Sequence, residues 1–268
     1  MTDRHVTRIY IYPVKSAAGI EVAEAELDAF GLRLDRRWMV VDDAGRFLTQ
    51  RQLPRMALIR VALEGGALRL TFPDAPILEV PVRAEEGAGA GVRRRVVVWG
   101  DAVEAVDTGE TAARWLSAAL GRPARLVHLP DDAVRPVDPR YARPGDRVAF
   151  ADAFPVLLIS EDSLEELNRR LAEPVPMNRF RPNLVVRAGE PHAEDGWRRI
   201  RIGEVEFDVV KPCARCAITL TDQATAERGK EPLRTLATYR TRNGKVLFGQ
   251  NLIHRGRGAV RVGMAVEA

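Results

Sequence analysis

Apolar and polar residues alternate along much of the chain, the period of a strand with one buried face. "HVTRIYIYPV" and "EVAEAELDAF" show it first. Three stretches then run out and return: "RRWMVVDDAGRFLTQ" around a D-A-G turn, "ALIRVALEGGALRLTF" around Gly65-Gly66, and "RRRVVVWGDAVEAVD" around Gly100-Asp101. Each predicts an antiparallel hairpin. The Gly- and Ala-rich "RAEEGAGAGVR" between the last two predicts a surface loop. The period changes in "DTGETAARWLSAALG", where Ala112, Trp115, Leu116 and Leu120 share a helical face, Thr108 precedes Glu110 and Gly121 supplies a stop. A second helix is predicted to open at Ser160, with Glu161 and Asp162 in its first turn, and a short third one over "EPLRTLATYR". Around them "AFPVLLIS", "NLVVRA", "RRIRIG", "EVEFDVV", "CAITLT", "KVLFGQNLI" and "GAVRVGMAVEA" read as strands.

The predicted class is therefore α+β and β-rich: an antiparallel, barrel-like N-terminal unit followed by a second β-barrel unit with a few helices. Without βαβ alternation or a fixed-period repeat, a doubly wound parallel sheet is not expected. At 268 residues the chain can hold two domains of ordinary size. The Pro- and Asp-rich run "RPARLVHLPDDAVRPVDPRYARPGDRV" suggests a boundary that gives units 1–121 and 122–268, with a long irregular loop at 130–147. Loops of that length inside compact domains tend to be functional or mobile.

Composition narrows the function classes. A hydrophobic share of 46% beside 29% charged residues is that of an ordinary globular protein. No run approaches the roughly 20 apolar residues of a membrane span, and "MTDRHVTRIYIYPVKS" does not read as an export signal, so no membrane partner and a cytoplasmic location are expected. The net charge of +4 is spread along the chain rather than gathered in a basic stripe, so no nucleic-acid partner is expected either. Of the 41 basic residues only Lys15, Lys211, Lys230 and Lys245 are lysines, which draws attention to places where a compact ammonium serves better than a planar fork.

The two cysteines, Cys213 and Cys216, lie in "VVKPCARCAITLTD". A structural zinc site needs four ligands, yet His5, His128, His192 and His254 are dispersed and form no H-x-x-x-H pair. A thioredoxin-type pair sits at the start of a helix, whereas β-branched residues follow here. Two readings stay open: one cysteine ligates a metal held mainly by a cofactor while the other packs, or both are structural. Basic and polar residues elsewhere weigh on the choice. "YPVKSAAG" places Lys15 and Ser16 at a strand end, "DRRWMVVD" adds Arg36, "TQRQLPR" adds Arg51, and "MNRFRPNLVV" sets Arg179, Arg181 and Asn183 before a strand. Brought together, they would form charge-assisted donors for a phosphate-bearing ligand.

These stretches in their order, with "KPCARCAITLTD", "KEPLRTLATYR" and "LFGQNL", resemble proteins that carry a MOSC N-terminal β-barrel domain followed by a MOSC domain. That is the group of the mitochondrial amidoxime-reducing component and its bacterial relatives, which bind molybdenum cofactor and reduce N-hydroxylated compounds. The resemblance implies Cys216 as the metal ligand and catalytic residue, with Cys213 as a neighbour. It implies cofactor contacts from Lys15, Ser16, Arg36, Arg181, Asn183 and Arg215, with Ser160 and Ser163 at a helix N-terminus as further donors. Arg215, next to the ligand in sequence, would be its cation. The implied activity is a molybdenum-cofactor-dependent oxidoreductase acting on small N-hydroxylated substrates, with a cofactor or sulfur carrier as the alternative. No cysteine is left for an iron–sulfur cluster, so electrons would come from a separate donor protein of reductase or ferredoxin type. Asp222 and His192 are candidates for moving the proton, each with a structural reading beside it.

Overall fold

A computed structural model describes residues 4–82 and 91–268. Most of the loop expected at 83–93 lies outside the described residues. The alternating segments form strands, and nine of them build the largest sheet. Its order runs Val266–Glu267, Arg199–Ile202, Val205–Ala214, Lys245–Arg255, Val156–Ser160, Leu184–Arg187, His5–Ile11 and Ile20–Val22, with Thr241–Arg242 paired to Lys245–Arg255 at one side. A four-stranded sheet orders Trp38–Val41, Arg125–His128, Asp101–Asp107 and Arg93–Val98. Two three-stranded sheets complete the fold, one from Gly258–Arg261, Glu24–Asp28 and Gly31–Leu32, the other from Arg60–Glu64, Ala67–Thr71 and Leu78–Pro81. The α+β, β-rich class expected from the sequence is what the chain adopts.

Two of the expected hairpins form as ladders, around Gly65-Gly66 and around Trp99-Gly100. The D-A-G turn forms too, but its return leg reaches Val41 through a single bridge at Phe47, and the ladder partner of Trp38–Val41 is Arg125–His128. That pairing carries residues past 122 into a sheet of the first unit. In the other direction, His5–Ile11 pairs with Leu184–Arg187 and Glu24–Asp28 with Gly258–Arg261. The exchange matters for the site because it brings the loop after the first strand against the second unit.

Helix α1 spans Glu110–Leu120 and buries Ala112, Trp115, Leu116 and Leu120 against a core that includes Trp38, Met56 and Leu68. Its cap is Gly109 rather than Thr108. The Asp107 carboxylate accepts from the Gly109 N–H, which leaves the Thr108 hydroxyl to donate to Leu126 O. Helix α2, Glu161–Asn168, starts as expected with the Ser160 hydroxyl accepting from the Ser163 N–H. It links Val156–Ser160 to Leu184–Arg187, which pair in parallel, while the other ladders of this sheet are antiparallel. Helix α3 covers Leu233–Tyr239. Among the described residues no helix is long and apolar enough to cross a membrane.

One expected strand does not form. "CAITLT" is β-branched, yet Ala217–Leu220 is a 3-10 turn. The Thr219 hydroxyl and N–H both donate to Cys216 O, while the Arg179 guanidinium takes the carbonyls of Thr219 and Leu220. Local side-chain bonding here outcompetes a ladder. The chain therefore turns sharply just after Cys216.

Candidate functional site

A cleft open to solvent lies where the two units meet. Lys15, Ser16, Arg36, Arg181, Asn183, Arg215 and Cys216 all line it, together with Cys213 and Asp152. Segments far apart in sequence are brought there by backbone pairing. Trp38 O accepts from the Lys15 N–H, Tyr12 O from the Arg36 N–H, and Leu157 O from the Asn183 N–H. Three of these residues sit in the left-handed backbone region that favours glycine: Ser16 at φ 67°, Arg36 at 47° and Arg181 at 57°. Such strain collects where a chain must aim side chains at a ligand.

The cations are packed around shared partners. Arg36 and Arg181 both face the Tyr12 ring, at 4.2 and 4.3 Å. Arg36 donates to Asp35 at 2.6 Å and to Asn183 Oδ1 at 3.0 Å. Burial pushes the Asp35 carboxyl up, against the pull of Arg36 and the Tyr12 N–H. Arg181 donates to Ala17 O, and among the described residues it has no carboxylate within ion-pair distance. Burial pushes its guanidinium down to about 10, and the Arg36 charge acts in the same direction.

A second knot forms on Asp152. Its carboxylate accepts from Lys15 Nζ at 2.5 Å and from Arg51 Nη2 at 2.7 Å. Burial alone would raise Asp152, but the two cations hold it well below the usual carboxylate range. Arg51 also donates to Cys216 Sγ at 3.3 Å. Arg215, the expected cation for that sulfur, reaches Cys213 Sγ at 3.0 Å instead and donates to Phe180 O. Period two along an extended chain explains the exchange, since residues 213 and 215 share a face that 216 does not. The two thiols are free, and each faces a different guanidinium.

Burial lowers the Lys15 ammonium to about 8, only partly offset by Asp152. A lysine depressed below its unfolded value binds fewer protons folded than unfolded between the two values, so stability rises with pH there. The ligand-free protein is expected to gain stability from pH 8 towards 10.5, with the gain absent in K15M, as urea midpoints across that range would show.

Ser160 and Ser163 lie elsewhere. Both are fully buried, and their hydroxyls donate to the two oxygens of Glu194, which is 1% exposed. They fasten the turn Ala193–Gly196 to helix α2 and do not line the cleft. His192 packs against Tyr239 and Phe248, where burial lowers it to about 4. Asp222 accepts from Arg179 and from two backbone N–H groups. Neither lines the cleft.

Reasoning from sequence did not find Asp152, because "FADAFP" carries no motif and its role depends on Lys15 and Arg51 arriving from the other unit. Arg51 was visible as a basic residue, without its bond to Cys216.

The arrangement suits an anionic ligand with a soft metal. Five cations, Lys15, Arg36, Arg51, Arg181 and Arg215, meet two carboxylates, Asp35 and Asp152. Buried Arg51 Nη1 and Arg215 Nε have no hydrogen-bond partner, which is unusual for charged donors unless a further group completes the site. Among the described residues no three His, Cys, Asp or Glu side chains come together as a metal site.

Comparison with known proteins gives the chain its family. The MOSC N-terminal beta barrel domain matches residues 4–123, and the MOSC domain matches residues 145–267. Mitochondrial amidoxime-reducing component 1 of Homo sapiens is 37% identical over 96% of this chain and 81% of its own length. Mitochondrial amidoxime reducing component 2 of Rattus norvegicus is 36% identical, with the same two coverages. The molybdenum cofactor sulfurase of Danio rerio is 35% identical over 93% of this chain, which corresponds to 32% of that longer protein. The chain belongs to the MOSC family, with a MOSC N-terminal β-barrel domain followed by a MOSC domain.

Proposed function

We propose that this protein binds molybdenum cofactor in the cleft, with Cys216 as the protein ligand to the metal, and reduces N-hydroxylated compounds. The observation that carries the reading is the placement of Cys216 Sγ beside Arg51 in a cleft whose other walls are Lys15, Arg36, Arg181 and Arg215. A thiolate is a suitable soft ligand for such a metal, and clustered Arg and Lys donors suit a phosphate-bearing pterin. The names of the amidoxime-reducing relatives supply the reaction class.

When bound, the cofactor supplies two-electron redox chemistry for the net change R–NHOH + 2e⁻ + 2H⁺ → R–NH₂ + H₂O. The chain's part is to bind and orient. Lys15, Ser16, Arg36, Arg181, Asn183 and Arg215 hold the anionic cofactor. Arg51 orients Cys216 and is itself held by Asp152. Asp152, kept ionised by Lys15 and Arg51, serves as an acceptor that fixes both cations. Electrons come from a separate donor protein of reductase or ferredoxin type.

Similarity to molybdenum cofactor sulfurase favours a second reading, a cofactor or sulfur carrier without turnover. One experiment separates the two. Protein purified from a host that makes the cofactor, supplied with an artificial reductant, is expected to convert benzamidoxime to benzamidine in proportion to its molybdenum content. Retention of cofactor without conversion supports the carrier, and protein that retains no pterin refutes both.

A further inference from the structure

Trp99 stands at the turn between strands Arg93–Val98 and Asp101–Asp107, where glycine or asparagine is the usual choice. Its backbone is left-handed, at φ 56°, an uncommon conformation for a bulky aromatic, and 47% of its surface is exposed. A residue that is both strained and exposed is not explained by folding alone, and such outliers collect at ligand sites.

Its neighbours point the same way. The indole ring lies 5.2 Å from the Phe47 ring, and the Arg51 guanidinium lies 4.7 Å from its centroid. Its Nε1 donates to Asp152 Oδ1 at 3.4 Å. Asp152 lines the cleft, and Arg51 touches Cys216 Sγ. The half-exposed indole is thus joined to the wall of the cleft beside the thiol, with Phe47 supporting it.

We propose that Trp99 is a specificity-determining wall of the substrate site, on which the flat ring of an aryl or nucleobase N-hydroxylated substrate stacks while its N–OH group reaches towards Cys216. The inference rests on the reductase reading for its choice of substrate. An indole face favours planar π systems over aliphatic groups of similar polarity. Stacking on one aromatic side chain changes affinity by roughly tenfold or more. A residue that only steadied Arg51 would instead affect every substrate alike.

The test compares wild-type, W99F and W99A holoprotein on benzamidoxime and acetamidoxime, which share the reacting group. The ratio of kcat/KM for the aromatic over the aliphatic substrate is expected to fall about tenfold in W99A and to be largely restored in W99F. An unchanged ratio, or equal losses on both substrates, overturns the inference. Binding of benzamidoxime to holoprotein without reductant, measured by calorimetry, gives a readout that needs no turnover. About tenfold weaker binding in W99A supports the stacking wall, and equal binding overturns it. Failure of the wild type to reduce either substrate, by contrast, removes the reductase reading while calorimetry still decides the role of Trp99.

Discussion

Replacing Cys216 by alanine is expected to abolish both retention of molybdenum and reduction of an amidoxime, while the same change at Cys213 leaves most of each. The two thiols are near in sequence and line the same cleft, so composition alone would not separate them. Their surroundings do. Cys216 marks the start of a sharp turn held by Thr219 and Arg179, and its sulfur takes a bond from Arg51 in the Asp152 knot. Cys213 lies within the strand Val205–Ala214, next to its end, and its sulfur meets Arg215, which is also anchored on Phe180 O. Loss of groups that merely orient a metal ligand typically costs about 10–100-fold, so loss of the ligand itself should exceed 100-fold. Metal analysis of purified protein, beside turnover with an artificial reductant, reads both effects. Equal behaviour of C216A and C213A would remove the assignment of one ligand and one companion.

Much of this site was legible because each contributing stretch carries its own local signal. Lys15 and Ser16 follow a clear strand, Arg181 and Asn183 flank Pro182 before another, and the order of the motifs resembles a known family. The structure brings all of these to one cleft. Contacts between units were not legible. Asp152 gains its meaning from Lys15 at one side and Arg51 at the other, and neither distance can be read from spacing. The pairing of Arg215 with Cys213 reverses an expectation built on adjacency, since neighbours along an extended chain point apart. Ser160 and Ser163 show the opposite limit. Their helix N-terminus was correctly expected, but a buried carboxylate, Glu194, arrives from 34 and 31 residues downstream to use their hydroxyls. The missing strand after Cys216 has the same cause, an arginine from another segment taking carbonyls that a ladder would need.

Gly249→Ala is expected to destabilise the protein by about 3 kcal/mol, a large share of the roughly 5–15 kcal/mol that holds a folded protein together. The glycine belongs to "LFGQNL", a motif visible in the sequence without its reason. Its φ is +80°, which costs a residue with a Cβ about 1–2 kcal/mol. An added Cβ would also lie 2.6 Å from Ile159 Cγ1 and 2.7 Å from Leu158 O, both on the neighbouring strand Val156–Ser160. Overpacking of that kind costs about 1–3 kcal/mol, and a backbone carbonyl in a paired strand cannot swing away. The strain falls where it matters for the cleft. Gln250 ties this strand to Asp195, and Asn251 donates to Lys211 O while lining the site. A lower urea midpoint with an unchanged slope would show loss of stability in a protein that still folds to the same state. A midpoint equal to the wild type would mean that the two strands do not approach this closely, and with that the position of Asn251 in the cleft would lose its support.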